Sequence, residues 1–292
     1  MKEIVVLSGK GGTGKTTFTL SLLKKYKSKT AADADVDAAD MFIMLEPDIK
    51  EKNNFMSSGL AEIDYDKCDS CRVCEKLCRF SAISFNKEEK RVIIDEIACE
   101  GCSLCEIACP KKAVKVVPQV SGEWYVSETK EGTLVHARLI PGAENSGKLV
   151  AKVKEKAREL AASEKSEYLI ADGPPGIGCP AIAAVSGADF TVIVTEPTMS
   201  GLHDLKRIQE LAEHFKVKSG VIINKADIND EITDEIEKYC ENKNITLLGK
   251  MKYDNCINKA LNNKKFPYDE CAEFKNAVDD VFEKACSAMA GG

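Results

Sequence analysis

A glycine-rich stretch lies between an apolar run and a helix-like one, an arrangement that can hold phosphate. Glu3-Ile4-Val5-Val6-Leu7-Ser8 has the composition of a buried parallel strand. Gly9-Lys10-Gly11-Gly12-Thr13-Gly14-Lys15-Thr16-Thr17 follows directly, ahead of the helix-like Phe18 to Lys25. The stretch satisfies G-x-x-x-x-G-K-[ST] in the strand–loop–helix context that the pattern needs. Glycines let backbone N–H groups wrap a polyphosphate, Lys15 reaches its β and γ oxygens, and Thr16 offers a hydroxyl to Mg2+. The N-terminus of the following helix adds positive potential. Residues Gly9 to Thr17 are therefore the expected phosphate cradle, with Gly9, Lys10, Gly11, Gly12, Thr13, Gly14, Lys15, Thr16 and Thr17 all contributing.

Eight of the 13 cysteines form two runs, Cys68-x2-Cys71-x2-Cys74-x3-Cys78 and Cys99-x2-Cys102-x2-Cys105-x3-Cys109-Pro110. This is the spacing of bacterial ferredoxins, in which the fourth cysteine of each run ligates the other cluster. The expected ligands of one [4Fe–4S] cluster are Cys68, Cys71, Cys74 and Cys109. Those of the second are Cys99, Cys102, Cys105 and Cys78. Pairs of C-x2-C also hold tetrahedral zinc, but two complete runs of one spacing favour clusters. Ser81-Ala82-Ile83-Ser84 echoes Lys112-Ala113-Val114-Lys115, so the region reads as an internal repeat. Each half is expected to be a small β-hairpin plus a short helix, related by a pseudo-twofold. Arg79 and Phe80 follow the first run where Pro110 follows the second, a departure that alters the local turn and not the ligands.

The region contains few large apolar residues, so its clusters must help to fold it. From Leu60 to Pro118 there are eleven Asp or Glu against ten Lys or Arg. Each oxidised cluster with four thiolates adds about -2. The loaded module is anionic and suits a basic docking face on a redox partner.

Lys10 makes the phosphate loop K-G-G-x-G-K-T-T, and here the chain resembles the MinD/ParA/nitrogenase iron protein group of P-loop ATPases. The resemblance implies an ATP-dependent homodimer that sandwiches nucleotide. Lys10 would then reach the phosphates of the opposite subunit, a role like that of an arginine finger. In Ala31-Ala32-Asp33-Ala34-Asp35, the end of a second strand entering switch I, Asp33 is implied to order the Mg2+ shell. Asp35 is implied to position the attacking water; the two roles are open to exchange, and Asp37 and Asp40 lie near enough to compete. Tyr168-Leu169-Ile170-Ala171-Asp172-Gly173-Pro174-Pro175-Gly176 matches an apolar strand ending in a Walker-B-like Asp; the resemblance implies that Asp172 binds Mg2+ through water and that Gly176 lets switch II sense the γ-phosphate.

The implied catalytic set is thus Lys10, Lys15 and Asp35, and the implied Mg2+ set is Thr16, Asp33 and Asp172. Asn224 falls where the group places a base-reading amide. Asn224-Lys225-Ala226-Asp227 also reads N-K-x-D, which selects guanine in GTPases, but the dimeric-ATPase context favours ATP. Pro141-Gly142-Ala143-Glu144-Asn145-Ser146-Gly147-Lys148 and Gly176-Ile177-Gly178-Cys179-Pro180 extend the likeness. Over essentially the whole chain it resembles MinD-superfamily ATPases with an inserted ferredoxin domain.

Positioning these groups takes a sheet whose strand ends converge. Phe190 to Thr195 and Val217 to Ile223 read as two more strands, with a helix over Leu202 to Phe215 between them. Glu123 to Ser127 and Leu134 to Arg138 read as a hairpin around Lys130-Glu131-Gly132, and a helix should run from the Pro141 stretch to about Ala162. The expected fold is α/β, a doubly wound, mostly parallel P-loop NTPase sheet with an inserted small α+β ferredoxin-like two-cluster domain. Residues 1–59 and 119–292 would form the ATPase domain, and residues 60–118 the insert. Cys179 reads as a buried or helix-start thiol, and Cys240, Cys256, Cys271 and Cys286 read as packing residues. His136, His203 and His214 are isolated and make no metal motif.

A net charge of -6 argues against a nucleic-acid binder. No apolar run approaches the roughly 20 residues of a membrane span, and the mildly acidic tail from Phe274 to Ala290 is no basic membrane-surface helix. Met1-Lys2-Glu3-Ile4 enters a strand directly, so the expected location is cytoplasmic, where clustered cysteines favour metal over disulfides. The expected function is a Mg-ATP-binding and -hydrolysing iron–sulfur protein, slow without a partner. It would couple nucleotide-driven dimer and switch changes to electron transfer, toward an unknown redox partner or iron–sulfur acceptor protein. Two alternatives stand beside it: a cluster assembly or delivery ATPase, and a MinD/ParA-like spatial organiser with structural or sensory clusters.

Overall fold

The computed structural model describes residues 1–143 and 145–290; Glu144 of the helix-opening stretch and residues 291–292 of the expected ATPase range lie outside the described residues. The chain divides into two compact units, one of Met1–Asn53, Trp124–Leu139 and Ser146–Gly292, the other of Asn54–Glu123 and Ile140–Asn145. The first unit opens with β1 (Lys2–Ser8), α1 (Lys15–Lys25), β2 (Lys29–Asp33), α2 (Met41–Leu45) and the start of β3 (Asp48–Ile63). The second unit takes the rest of β3, then α3 (Val73–Leu77), β4 (Ile83–Asn86), β5 (Arg91–Ile94), α4 (Leu104–Ala108) and the first part of β6 (Val114–Thr129). The first unit resumes with β7 (Gly132–Leu139), α5 (Ser146–Ser163), β8 (Tyr168–Pro175), α6 (Cys179–Val185), β9 (Phe190–Thr195) and α7 (Met199–His214). It closes with β10 (Lys218–Asn224), α8 (Asp230–Lys243), β11 (Thr246–Met251), α9 (Asn255–Asn262), α10 (Pro267–Glu270) and α11 (Ala272–Ala290).

The strand order is β11-β10-β9-β1-β8-β2-β7-β6-β3. Every pairing from β11 across to β7 is parallel, as the sequence led us to expect. Helices crossing both faces explain why β1, β8 and β9 are apolar along their length rather than alternating, for their residues are buried nearly throughout. Phe18, Leu20 and Leu23 of α1, Met41 of α2, Phe190 of β9 and Val278 of α11 belong to the same buried core. Each such side chain contributes about 1.5–3 kcal/mol by leaving water. A charged pair is buried away from the carboxyl ends of the strands: Lys154 of α5, 1% exposed, sits 2.8 Å from Glu3 and donates to the carbonyls of Ala184 and Ser186 at the end of α6. The negative end of a helix is a favourable place for that ammonium.

The register decides where chemistry can occur. Asp33 of β2 and Val6 of β1 both lie opposite Asp172 of β8, so the carboxyl ends of three strands meet at one edge. The phosphate loop leaves β1 there, and a register shift between Val6 and Ser8 opens that exit. This is the edge at which open α/β sheets bind ligands.

The second unit is an internal repeat. Each cysteine of the first run recurs 31 residues on, and backbone conformation recurs with it. Ser70 and Gly101, Arg72 and Ser103, and Ser81 and Lys112 are all left-handed. Gly101 is required, since a Cβ there would lie 2.1 Å from the Gly59 carbonyl oxygen. Two reciprocal bonds join the halves: Asp64 donates its N–H to Ala113 at 2.7 Å, and Asp95 donates its own to Ala82 at 2.7 Å.

Three expectations need correction. The halves do not each form their own hairpin: β4 of the first half pairs antiparallel with β5 of the second, Ile83 opposite Ile94 and Phe85 opposite Val92. Four-residue strands bury too little alone, and pairing across the repeat buries Ile83 and Val92 together. Nor does the second unit coincide with residues 60–118. Its limits fall inside the sixteen-residue strands β3 and β6, where composition does not change, and Ile140 donates its N–H to Ser121, bringing residues 140–145 into the unit. Cys256 and Cys271 are not packing thiols: a disulfide joins them, because α9 and the α10–α11 junction fold side by side. Cys240 is buried in α8 and Cys286 is partly buried beside Tyr26, as packing residues should be. Among the described residues no helix is long and apolar enough to cross a membrane.

Candidate nucleotide site and two cysteine cavities

The phosphate loop bridges β1 and α1 with Gly12 and Gly14 in left-handed backbone, which costs glycine little. Gly14 has a second constraint, since a Cβ would fall 2.5 Å from the side-chain nitrogen of Asn224. That amide donates to the Thr13 carbonyl at 2.8 Å, which fixes the end of β10 against the loop.

Lys15 opens α1 and is 6% exposed. Its Nζ lies 3.0 Å from Asp172 Oδ2 and 3.4 Å from Asp35 Oδ2. Burial pulls its pKa down, but the carboxylates of Asp172, Asp35 and Asp33 outweigh that and leave it above the ordinary lysine value. Thr16 donates to Asp172 Oδ2 at 2.6 Å, and Thr19, one turn beyond Lys15, donates to the other oxygen at 2.8 Å. Burial raises Asp33 well above the usual carboxylate range, with the Asp172 charge adding to the effect. Burial raises Asp35 as well, against the pull of Lys15. Two acids, Asp35 and Asp172, thus share one ammonium, and their oxygens with the Thr16 hydroxyl make a donor set that fits a hard divalent cation.

The residues expected to act together are brought together, with two differences. Asp33 does not line the cleft; it is fully buried, and its oxygens accept the N–H groups of Asp35 at 3.3 Å and Met41 at 3.1 Å. It therefore holds the turn from which Asp35 and Asp40 reach the cleft. Lys10 is exposed and donates to Ser200 Oγ of its own chain at 2.8 Å, on the first turn of α7. Sequence reasoning missed Thr19 and Ser200. Thr19 was within reach of it, because position i+4 from Lys15 shares that residue's helix face. Gly176, with φ 84°, donates its N–H to the Ser8 carbonyl, so the segment that follows β8 starts beside the loop.

The loop lies in a cleft of about 370 Å3 that is also lined by Asn224 and Lys225, by Met251 to Asp254, and by Ile257, Asn258 and Phe274. That volume suits a nucleotide-sized ligand. Asp227 lies outside it, with its carboxylate accepting the Tyr253 N–H at 2.7 Å. Asp227→Ala is accordingly expected to leave the ATP-to-GTP preference unchanged while costing about 0.5–1.5 kcal/mol of stability. Competition binding and urea denaturation check the two halves of that statement, and a switch of base preference would restore the N-K-x-D reading.

The second unit contains two cavities. One is lined by Cys68, Cys71, Cys74 and Cys109, the other by Cys78, Cys99, Cys102 and Cys105. Each quartet takes three cysteines from one run and the fourth from the other. Left-handed residues at 70, 72, 101 and 103 curl the chain within each run, the conformation that forms anion-binding backbone nests. Among the described residues, the one group of three or more metal-ligand atoms within 4.8 Å of one another is Asp254, Cys256 and Cys271. Cys179 is exposed at the start of α6.

Residues 4–268 match the family model of the CobQ/CobB/MinD/ParA nucleotide binding domain. An uncharacterized protein of Methanocaldococcus jannaschii is 30% identical over 286 residues, which cover 97% of this chain and 95% of its own. Among solved structures, the cell division ATPase MinD of Pyrococcus furiosus aligns with a TM-score of 0.56 at 16% identity, covering 97% of each chain. The septum site-determining protein MinD of Pyrococcus horikoshii, complexed with Mg-ADP, aligns at 0.55 and 17% identity, covering 99% of this chain and 97% of that one. At those identities the two structures establish the fold.

Proposed function

Because the chain belongs to the CobQ/CobB/MinD/ParA nucleotide-binding family, we propose that its first unit is a Mg-ATP-hydrolysing switch and that its second unit is a ferredoxin-like module holding two [4Fe–4S] clusters. Lys15 and the loop N–H groups bind the phosphates, Thr16 and Asp172 hold Mg2+, and Asn224 reads the base. Asp35, which reaches the cleft, positions the attacking water, and Asp33 braces it from behind. Lys10 serves the partner subunit of an ATP-dependent homodimer, which requires it to leave Ser200.

The observation that carries the second half is the crosswise lining of the two cavities. Cys68, Cys71, Cys74 and Cys109 would hold one cluster, and Cys78, Cys99, Cys102 and Cys105 the other. Such clusters supply one-electron carriers, so ATP-driven changes in the first unit would gate electron transfer to a partner protein. Protein purified anaerobically should carry about eight irons; stoichiometric zinc, or no iron after reconstitution, would end the cluster reading.

A second reading has its own support. The solved structures of like fold include a cell division ATPase, which favours a spatial organiser whose clusters are structural. Redox titration with and without Mg-ATP separates the two. A nucleotide-dependent cluster potential supports electron transfer, and identical potentials favour the organiser, because a ligand shifts only what it binds differentially.

A further inference from the structure

The disulfide lies in the wall of the nucleotide cleft. Cys256 is in the first turn of α9, and Ile257, Asn258 and Leu261 of that helix line the cleft, with Tyr253 and Asp254 just ahead of it. Cys271 joins α10 to α11, and Phe274, three residues on, lines the cleft as well. Hydrogen bonds extend the connection to the base side: Asp254 accepts the Cys256 N–H at 2.7 Å, and Asp227 accepts the Tyr253 N–H at 2.7 Å. α9 has eight residues, of which Ala260 alone is buried, and a helix that short is marginal by itself.

We infer that Cys256 and Cys271 form a thiol–disulfide exchange site that sets the nucleotide affinity of the cleft, with a low-molecular-weight disulfide as oxidant. The inference rests on the nucleotide reading of that cleft. Accessibility orders the steps, because Cys271 is 3% exposed and Cys256 is only partly covered. Cys256 loses its proton to solvent, and its thiolate attacks one sulfur of the small disulfide. The sulfur–sulfur bond of the reagent breaks, one small thiolate leaves, and a mixed disulfide forms. Cys271 then loses its proton and attacks Cys256 Sγ, and the second small thiolate departs. Two small thiols appear for each protein disulfide formed, and no other electron acceptor is needed. With the bond closed, α9 is held against α10 and α11 and the wall is pre-organised; with it open, binding must first order that wall.

The test uses the full, iron-loaded chain under anaerobic conditions, poised with reduced or oxidised glutathione and titrated with a fluorescent ATP analogue. Alkylation and peptide mapping follow the thiols, and visible absorbance checks that cluster content is the same in both samples. The oxidised form should carry the Cys256–Cys271 cross-link and bind the analogue at least about 5-fold more tightly. Amide exchange over residues 253–262 should slow at the same time. Cys256→Ser and Cys271→Ser should stay at the weaker affinity in either buffer, and the wild-type comparison stands even if a variant folds poorly. Free thiols in the oxidising buffer, or a cross-link that leaves affinity unchanged, would overturn the inference alone. Failure to bind the analogue in both buffers would sink the nucleotide reading of the cleft along with it.

Discussion

Replacing Lys15 with alanine is expected to weaken ATP binding by about 10- to 150-fold, whereas Lys10→Ala keeps the affinity and loses hydrolysis. The first figure follows from the loss of a charged phosphate contact worth about 1.5–3 kcal/mol. The setting works in the same direction: Lys15 is the ammonium paired with Asp35 and Asp172, and its removal leaves those two acids without a counter-charge beside an incoming polyphosphate. Lys10 sits in a different environment, exposed and bonded to Ser200 on α7. A group in that position is free to neutralise charge that develops at a neighbouring subunit, an effect worth about 10³-fold or more in comparable phosphoryl transfers. Calorimetric titration and phosphate release, measured on both variants, give the answer. Equal loss of binding in the two would place Lys10 on its own subunit's nucleotide and remove the case for a composite site.

The contrast between those lysines marks how far sequence could be read. Residue type and spacing found the loop, the Walker-B-like strand and the eight-cysteine pattern, because each is a local constraint. A strand must be apolar to lie buried, and a phosphate loop must be glycine-rich to expose its N–H groups. Where Asp33 points was not legible, since Ala31-Ala32-Asp33-Ala34-Asp35 offers two acids at the same spacing. The choice is made by the Met41 N–H, which captures Asp33 and leaves Asp35 to the cleft. Ser200 is some 190 positions from Lys10, and only the packing of α7 beside the loop brings them together. The same holds for Cys256 and Cys271, which carry no ligand spacing and meet where α9 folds beside the α10–α11 junction. The unit boundaries were misplaced for a related reason: a strand that continues from one unit into another has no compositional break at the crossing.

Replacing Cys109 is expected to strip the site of the first run, and replacing Cys78 that of the second. The cavities carry the reasoning, because Cys109 lines the one with Cys68, Cys71 and Cys74, while Cys78 lines the one with Cys99, Cys102 and Cys105. Under the two-cluster proposal, Cys109→Ala loses about four irons. Its thiols at 68, 71 and 74 then become open to alkylation, while 78, 99, 102 and 105 stay protected. Cys78→Ala should show the reverse pattern. Structural effects should follow, because the buried apolar residues described in this unit are few and mostly small: Ala61, Ala82, Ile83, Val92, Ala113 and Val114. A core of that size folds poorly without metal, and the shared ligand pattern ties each cluster to both halves of the repeat. Limited proteolysis should therefore cut either variant within residues 54–123 faster than wild type, with the first unit resistant. If Cys109→Ala instead exposes 99, 102 and 105, each run would hold its own cluster, and the halves would be joined by the β4–β5 pairing and the reciprocal bonds from Asp64 to Ala113 and from Asp95 to Ala82 rather than by shared ligands.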